Sequence, residues 1–167
     1  MSAFRPTDER WPSPLQYLSL IALIAALDLA SKYAMVEWLD GGARTISLLP
    51  FLDLRLSYNR GISFSLFEAE HARDVTLLIV LTGLATLAFG IAGLIAKSPT
   101  DRIALSLVSG GAGGNVLDRL ANHGVTDFID FHFRGWHWPS FNIADTAIAI
   151  GVTILLVAGL LLPANAR

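Results

Sequence analysis

The feature that most constrains this chain is its series of long apolar segments. Residues 75–96 include no charged side chain, and about 20 apolar residues cross the hydrocarbon core of a bilayer as a helix. Three further segments have a suitable length, so the sequence predicts four transmembrane helices, at residues 15–39, 75–96, 103–120 and 143–162. Only 16% of the residues are charged, against about a quarter in soluble domains, which also favours a mainly α-helical membrane protein.

The charge and cysteine content exclude several functional classes. The formal net charge is −2, so no broad basic surface is available to bind a nucleic acid. The chain contains no cysteine, which excludes disulfide bonds, thiolate catalysis and cysteine-ligated metals. At this length we expect a single integral membrane domain that covers residues 1–167.

The distribution of basic residues predicts the orientation. Four helices place both termini on one side of the membrane. Arg5 and Arg10 precede the first helix, and Lys97 and Arg102 flank the short loop between helices two and three; short basic loops face the cytoplasm. The N-terminal segment lacks the order of features of a cleavable signal peptide, so the first helix is expected to remain as an anchor. Both termini are therefore predicted to be cytoplasmic.

Two loop segments alternate like strands. In LDLRLSYNRGISFSL, apolar and polar residues alternate on both sides of Asn59-Arg60-Gly61. This pattern predicts a β-hairpin at about residues 46–67, in which Asn59 and Gly61 would form the turn. The segment VTDFIDFHF, before helix four, also alternates, and one more short strand is expected there. Gly110, Gly111, Gly113 and Gly114 predict that helix three is central and closely packed.

Two carboxylates frame the last outer loop. Asp127 and Asp145 are separated by a loop that would leave the membrane surface and return to it, which can bring the two side chains to the same depth. Two nearby carboxylates in a partly dry site share a proton and can then activate water, as in aspartic proteases. The alternative is structural: Asp145 would cap helix four, and Asp127 would be an ordinary strand residue.

Other polar residues lie within the predicted helices. Asp28 and Lys32 are four residues apart and can pair on one helix face, either as a structural ion pair or close to a site. Asn115, Asp118 and Arg119, at the end of helix three, form either a helix-end hydrogen-bond network or a shell that orients the carboxylates.

The histidines give little support for a metal site. His132 and His137 fall near the aspartates, but no zinc-binding helix spacing occurs, so neither a metal nor another cofactor is expected. Trp136 and Trp138 are typical of an interfacial aromatic belt.

The motifs together resemble a known family. They are DLASK at 28–32, YNRGISFS at 58–65, GGAGGNVLDR at 110–119, VTDFIDF at 125–131 and FNIADTAI at 141–148. Their order and spacing are similar to those of signal peptidase II, the lipoprotein signal peptidase family. The resemblance covers nearly the whole chain.

The resemblance implies an aspartyl endopeptidase of the bacterial inner membrane, with four transmembrane helices and a small extracytoplasmic β-sheet cradle. The family removes the signal peptide of prolipoproteins just before a diacylglyceryl-modified cysteine and is inhibited by globomycin. A monomer in contact with membrane lipid is expected. Asp127 and Asp145 fall on the family's catalytic aspartates. The remaining matched site positions are Asn59, Gly61, Asn115, Arg119, Asn142, Asp28 and Lys32, and Asp118 is expected to support them.

The chain departs from the family pattern at three positions. Leu29 and Arg60 stand where the family often has Gln and Thr, and Asp130 adds a third carboxylate near the pair. Two other functions compete with the peptidase. One is a small transporter or channel with buried carboxylates, and the other is a non-catalytic binder of lipid-linked peptides. The transporter leaves the NVLDR motif and the outer hairpin unexplained, and the intact V-x-D-F and F-N-x-A-D motifs argue against the binder.

Overall fold

The computed structural model describes residues 12–39, 44–61 and 72–161. Within these ranges the helices are α1 (Pro14–Trp38), α2 (Ala72–Ile95), α3 (Pro99–Asn122) and α4 (Ile143–Leu161). The strands are β1 (Thr45–Leu49), β2 (Leu52–Asn59), β3 (Val125–Phe133) and β4 (Trp136–His137). Each of the four apolar segments found in the sequence therefore coincides with one helix.

Three of these helices are long and apolar enough to cross a membrane: Pro14–Trp38, Arg73–Ile95 and Ile143–Leu161. They expose many large apolar side chains, among them Leu15, Leu23, Leu27, Leu77, Leu81, Leu84, Leu156 and Leu160. Such a surface suits hydrocarbon and not water. Among the described helices α3 is too polar to meet the same criterion, so a fourth membrane crossing stays a prediction.

Helix α3 lies at the centre of the bundle and packs against α1, α2 and α4. Its glycines allow the close approach. A Cβ atom at Gly110 would lie 2.7 Å from the Cβ of Ile24, and one at Gly111 would lie 2.5 Å from the carbonyl oxygen of Ala144. Gly113 is different, because its nearest neighbour would be 3.8 Å away. The predicted close packing of α3 is confirmed, and its tightest contacts are with α1 and α4.

A buried arginine fastens the end of α3 that lies away from the sheet. Arg102 is only 6% exposed, and its guanidinium donates hydrogen bonds to the backbone carbonyls of Pro12, Leu94 and Ala96. Carbonyls at a helix C-terminus lack partners within the helix. Arg102 therefore joins the last turn of α2 to the residues just before α1.

The four strands form one antiparallel arrangement in the order β1-β2-β3-β4. The register pairs Leu54 with Ile129 and Ser57 with Asp127. One extra residue on β2 between these pairs makes a β-bulge. Bulges bend a strand and redirect its side chains, and they often occur next to active sites. Here the bulge lies beside Asp127.

The structure shows a hairpin that the sequence does not predict, which joins β1 to β2 through Pro50 and Phe51. The first strand of the predicted hairpin is present as β2, and Asn59 and Gly61 make a turn contact after it. The sequence TISLL alternates poorly, which concealed β1. Residues 62–71, where the second predicted strand would lie, are outside the described part of the chain. The predicted strand before α4 is present as β3.

Candidate active site

Asn142 stands immediately before α4 and caps it. Its Oδ1 accepts a hydrogen bond from the backbone N–H of Asp145 at 2.9 Å, and its own backbone N–H donates to Asp145 Oδ2 at 3.3 Å. This is a reciprocal capping box with an aspartate in the third helical position. The capping role considered for Asp145 is therefore present. The capping contacts use only Oδ2 of the Asp145 carboxylate. Its Oδ1 accepts a hydrogen bond from the side-chain amide of Asn115 at 2.9 Å.

The amide nitrogen of Asn142 reaches the other carboxylate. It donates to Asp127 Oδ1 at 2.7 Å and also lies within hydrogen-bond distance of Thr126 O and Asn115 Oδ1. One fully buried side chain thus contacts Asp127 on β3 and Asp145 on α4. The two aspartates that are 18 positions apart in the sequence meet at one place.

The environments of the two carboxylates are unequal. Asp127 is only 3% exposed, whereas Asp145 is half-buried. Burial, and after it the negative charge of Asp145, raise the pKa of Asp127 to about 7. Hydrogen bonds from Asn142 and Asn59 and the charge of Lys32 partly oppose the increase in pKa. Asp127 therefore holds its proton at mildly acidic pH and releases it around pH 7.

Lys32 connects α1 to α3 beneath the carboxylate pair. Its Nζ lies 2.7 Å from Asp28 Oδ2 and 3.2 Å from Asp118 Oδ2, and it donates to Asn115 Oδ1 at 2.7 Å. The predicted ion pair of Asp28 and Lys32 is present. Lys32 also orients Asn115, so that the amide nitrogen of Asn115 points to Asp145.

The carboxylates around Lys32 also bind backbone groups. Asp28 Oδ1 accepts from the N–H of Ala144, in the first turn of α4, at 2.9 Å. Asp118 Oδ2 accepts from the N–H of Thr126 at 2.7 Å. Each acid thus fixes a residue next to a candidate catalytic aspartate, one on α4 and one on β3. No sequence pattern identifies these contacts, because the groups bound belong to the backbone.

The turn after β2 closes the site from the side. Asn59 Oδ1 accepts from the N–H of Gly61 at 2.9 Å, and Arg119 donates from Nη2 to the carbonyl of Gly61 at 3.1 Å. Arg119 also interacts electrostatically with Asp127 and Asp145. Among the residues that the structure describes, its buried Nε has no hydrogen-bond partner.

All ten candidate residues fall within this one network. Asp130 does not join it, and instead binds His137 on the outer part of the sheet. Within the described ranges no group of three or more His, Asp or Glu residues has a geometry suited to a metal ion. The arrangement contains a buried acid with a raised pKa, a second acid that accepts N–H donors, and amides between them. Such a pair can activate a water molecule.

Comparison with known proteins agrees with this arrangement. Residues 20–161 match the family model described as signal peptidase (SPase) II. A lipoprotein signal peptidase of Coxiella burnetii (strain Dugway 5J108-111) is 37% identical over 164 residues, covering 96% of this chain and 97% of the relative. One from Francisella tularensis subsp. novicida (strain U112) is 41% identical over 150 residues, covering 87% and 92%.

A solved structure shares the fold. It is described as a bacterial membrane enzyme determined by the in meso method at 2.3 Å resolution. The TM-score is 0.76 and the sequence identity 25%, over 90% of this chain and 91% of that one. From the family match and these relatives, the chain belongs to the signal peptidase II family of aspartic-type, lipoprotein-processing peptidases.

Proposed function

We propose that the chain removes the signal peptide from diacylglyceryl-modified prolipoproteins by cutting just before the lipid-modified cysteine, with Asp127 and Asp145 as its catalytic residues. The observation that carries this proposal is the contact of both carboxylates with one residue, Asn142, whose side-chain amide donates to Asp127 and whose backbone N–H donates to Asp145. Signal peptide removal from prolipoproteins is the reaction of the family. The aspartyl mechanism is inferred from the unequal environments of the pair.

The geometry favours one division of roles. Asp145 accepts N–H donors from Asn115 and Asn142 in the first turn of α4, and we assign it the role of the base. Asp145 takes a proton from water as the water oxygen attacks the scissile carbonyl. Asp127 donates its proton to the carbonyl oxygen. Asp145 then passes its proton to the leaving amine while Asp127 recovers one from the tetrahedral intermediate, so the pair ends as it began.

The site lies at a depth that suits a lipid-anchored substrate. An acyl chain contributes roughly 0.8 kcal/mol per buried CH₂ to membrane binding, so the modified cysteine stays at the bilayer surface. Asp145 is in the first turn of α4, where an apolar helix leaves the membrane. The enzyme therefore needs no large movement to reach the scissile bond. A globomycin-type lipopeptide would compete for the same place.

The proposal includes the membrane arrangement. All four helices cross the bacterial inner membrane as a single domain, α3 sheltered by the other three. Both termini are cytoplasmic and the sheet lies on the outer face, in contact with lipid. We expect the enzyme to work as a monomer.

The function is tested with a purified enzyme in detergent and a diacylglyceryl-modified lipobox peptide. We expect Asp127→Asn and Asp145→Asn to lower kcat by at least about 10³-fold with an unchanged fold. Asp101→Asn, a carboxylate change in the first turn of α3, is the matched control and keeps full activity. The peptide with an unmodified cysteine is expected to be cut poorly. Cleavage by folded variants at the wild-type rate would remove the aspartates from the mechanism.

The orientation is tested with single cysteines, because the natural chain has none. Gly135→Cys lies in the β3–β4 turn, and Lys97→Cys lies between α2 and α3. A membrane-impermeant thiol reagent added to spheroplasts is expected to label the first variant at once and the second only after lysis. Labelling in the opposite order would invert the proposed topology.

A further inference from the structure

A second acidic cluster lies on the sheet, outside the network described above. Asp130 is only 1% exposed, and the β2–β3 register places it directly opposite Asp53. Two like charges in this position repel each other. Arg55 and His137 compensate Asp130. The Nη2 atom of Arg55 lies 3.2 Å from Asp130 Oδ2, and His137 Nδ1 lies 2.9 and 3.0 Å from the two carboxylate oxygens.

His132 contacts the opposing carboxylate, Asp53. Its Nε2 lies 3.3 Å from Asp53 Oδ2, and its ring centroid is 5.3 Å from that of His137. The two histidines are therefore neighbours with separate partners. Only His137 belongs to the return segment, which we define as residues 134–141, the stretch that leads from β3 back to Asn142 and α4.

The return segment is bound along β3 by a short series of contacts. The N–H of Trp138 donates to the carbonyl of Phe131 at 2.7 Å. The backbone groups of Phe141 and Ile129 exchange hydrogen bonds at 2.9 and 3.1 Å. His137 adds its side-chain contact with Asp130 at the outer end of this series. Asn142 is the next residue after the segment, so its position depends on how the segment lies against β3.

We propose that Asp130 and His137 form a positioning latch that holds the return segment against β3 and thereby keeps Asn142 between Asp127 and Asp145. A carboxylate that accepts with both oxygens requires a hydrogen on Nδ1, so Asp130 fixes the tautomer and ring orientation of His137. A buried charge that loses its partner is costly, and this cost keeps the latch closed. The latch acts through Asn142 and touches no reacting atom.

The latch has a specific effect on the catalytic proton. The hydrogen bond from Asn142 lowers the pKa of Asp127, while burial and the charge of Asp145 raise it and Lys32 lowers it. Arg119 also faces Asp127. Opening the latch would displace Asn142 and leave those other charges in place. The pKa of Asp127 would then rise above its value of about 7.

The test compares His137→Ala with His137→Asn, whose amide nitrogen can replace the Nδ1 donor. This experiment rests on the proposed function and uses the lipobox peptide over a range of pH. For His137→Ala we expect kcat to fall between about 10- and 100-fold, as for a small misplacement of catalytic groups, with KM changed less than about twofold. The alkaline limb of the pH–rate profile moves to higher pH, because the acid form of Asp127 persists longer. In His137→Asn we expect the alkaline limb to return to its wild-type position.

His132→Ala is the matched control, since it removes the neighbouring ring without touching Asp130. It is expected to keep the wild-type pH profile. A folded His137→Ala enzyme with the wild-type profile, or an equal shift in His132→Ala, would overturn the latch. Thermal melting over the same pH range gives a readout without substrate. In His137→Ala we expect the pH at which stability stops falling to move upward. This result does not depend on the substrate, so it tests the latch even if the peptide is not cleaved and the proposed function fails.

Discussion

The raised pKa of Asp127 predicts that this carboxyl group, our proposed catalytic acid, destabilises the folded enzyme at alkaline pH. In the folded state its pKa is about 7, against an ordinary value of 3.8 for an aspartate side chain. Between these values the folded protein binds the proton more tightly than the unfolded chain, so stability falls as pH rises and stops falling above about pH 7. The difference in pKa corresponds to about 4 kcal/mol.

Asp127→Asn removes this penalty and keeps the size of the side chain. At pH 4 the variant and the wild type should be equally stable, since Asp127 is then protonated. Above pH 7 the variant should be more stable by up to about 4 kcal/mol, or on the order of 10 °C in Tm. The assay is thermal melting in detergent at fixed lipid content, at intervals from pH 4 to pH 8, read as the difference between variant and wild type.

Asp53→Asn provides a control of opposite sign. Hydrogen bonds from Ser47 and His132 hold the pKa of Asp53 below its usual value. Its contribution to stability is present above the unfolded pKa and is lost as pH falls through the folded one. This variant should therefore be less stable than wild type at neutral pH and match it in acid. A pH-independent difference for Asp127→Asn would refute the account of the catalytic proton.

Two further predictions concern packing and buried charge. Gly111→Ala places a methyl group 2.5 Å from the Ala144 carbonyl oxygen and should cost about 1–3 kcal/mol, whereas Gly113→Ala has room and should leave the melting temperature nearly unchanged. Lys32→Met leaves two buried carboxylates without their cation and should cost about 3–5 kcal/mol, whereas the exposed Lys97→Met should be neutral. Equal Tm values within either pair of variants would contradict the reasoning.

The sequence predicts the helices well because each has a strong local signal. An uncharged apolar segment defines α2 without reference to any neighbour, and four-residue spacing is sufficient to pair Asp28 with Lys32. Strand β1 has no such signal. TISLL is short and alternates poorly, and its pairing depends on Arg55 and Leu54 on the next strand.

The candidate site was predicted in part. The loop between Asp127 and Asp145 suggested that the carboxylates meet, but spacing alone left a helix cap as an equally simple explanation. In the structure both explanations hold. Asp145 makes capping contacts with Asn142, and Asn142 also donates a hydrogen bond to Asp127. The contact of Lys32 with Asp118 depends on the relative register of α1 and α3, which no local pattern contains. The catalytic roles themselves stay predictions until the variants are measured.

The polar character of α3 has a consequence for how the protein is assembled. Alone in lipid, this helix would expose Asn115, Asp118 and Arg119 to hydrocarbon, where such groups are costly. The entry of α3 into the bilayer, which we propose, should therefore wait for partners: α1 supplies Lys32, and α4 supplies the first-turn groups that contact Asn115. A nascent chain that ends before α4 is expected to be degraded in pulse-chase experiments, and co-expression of α4 as a separate fragment should rescue it.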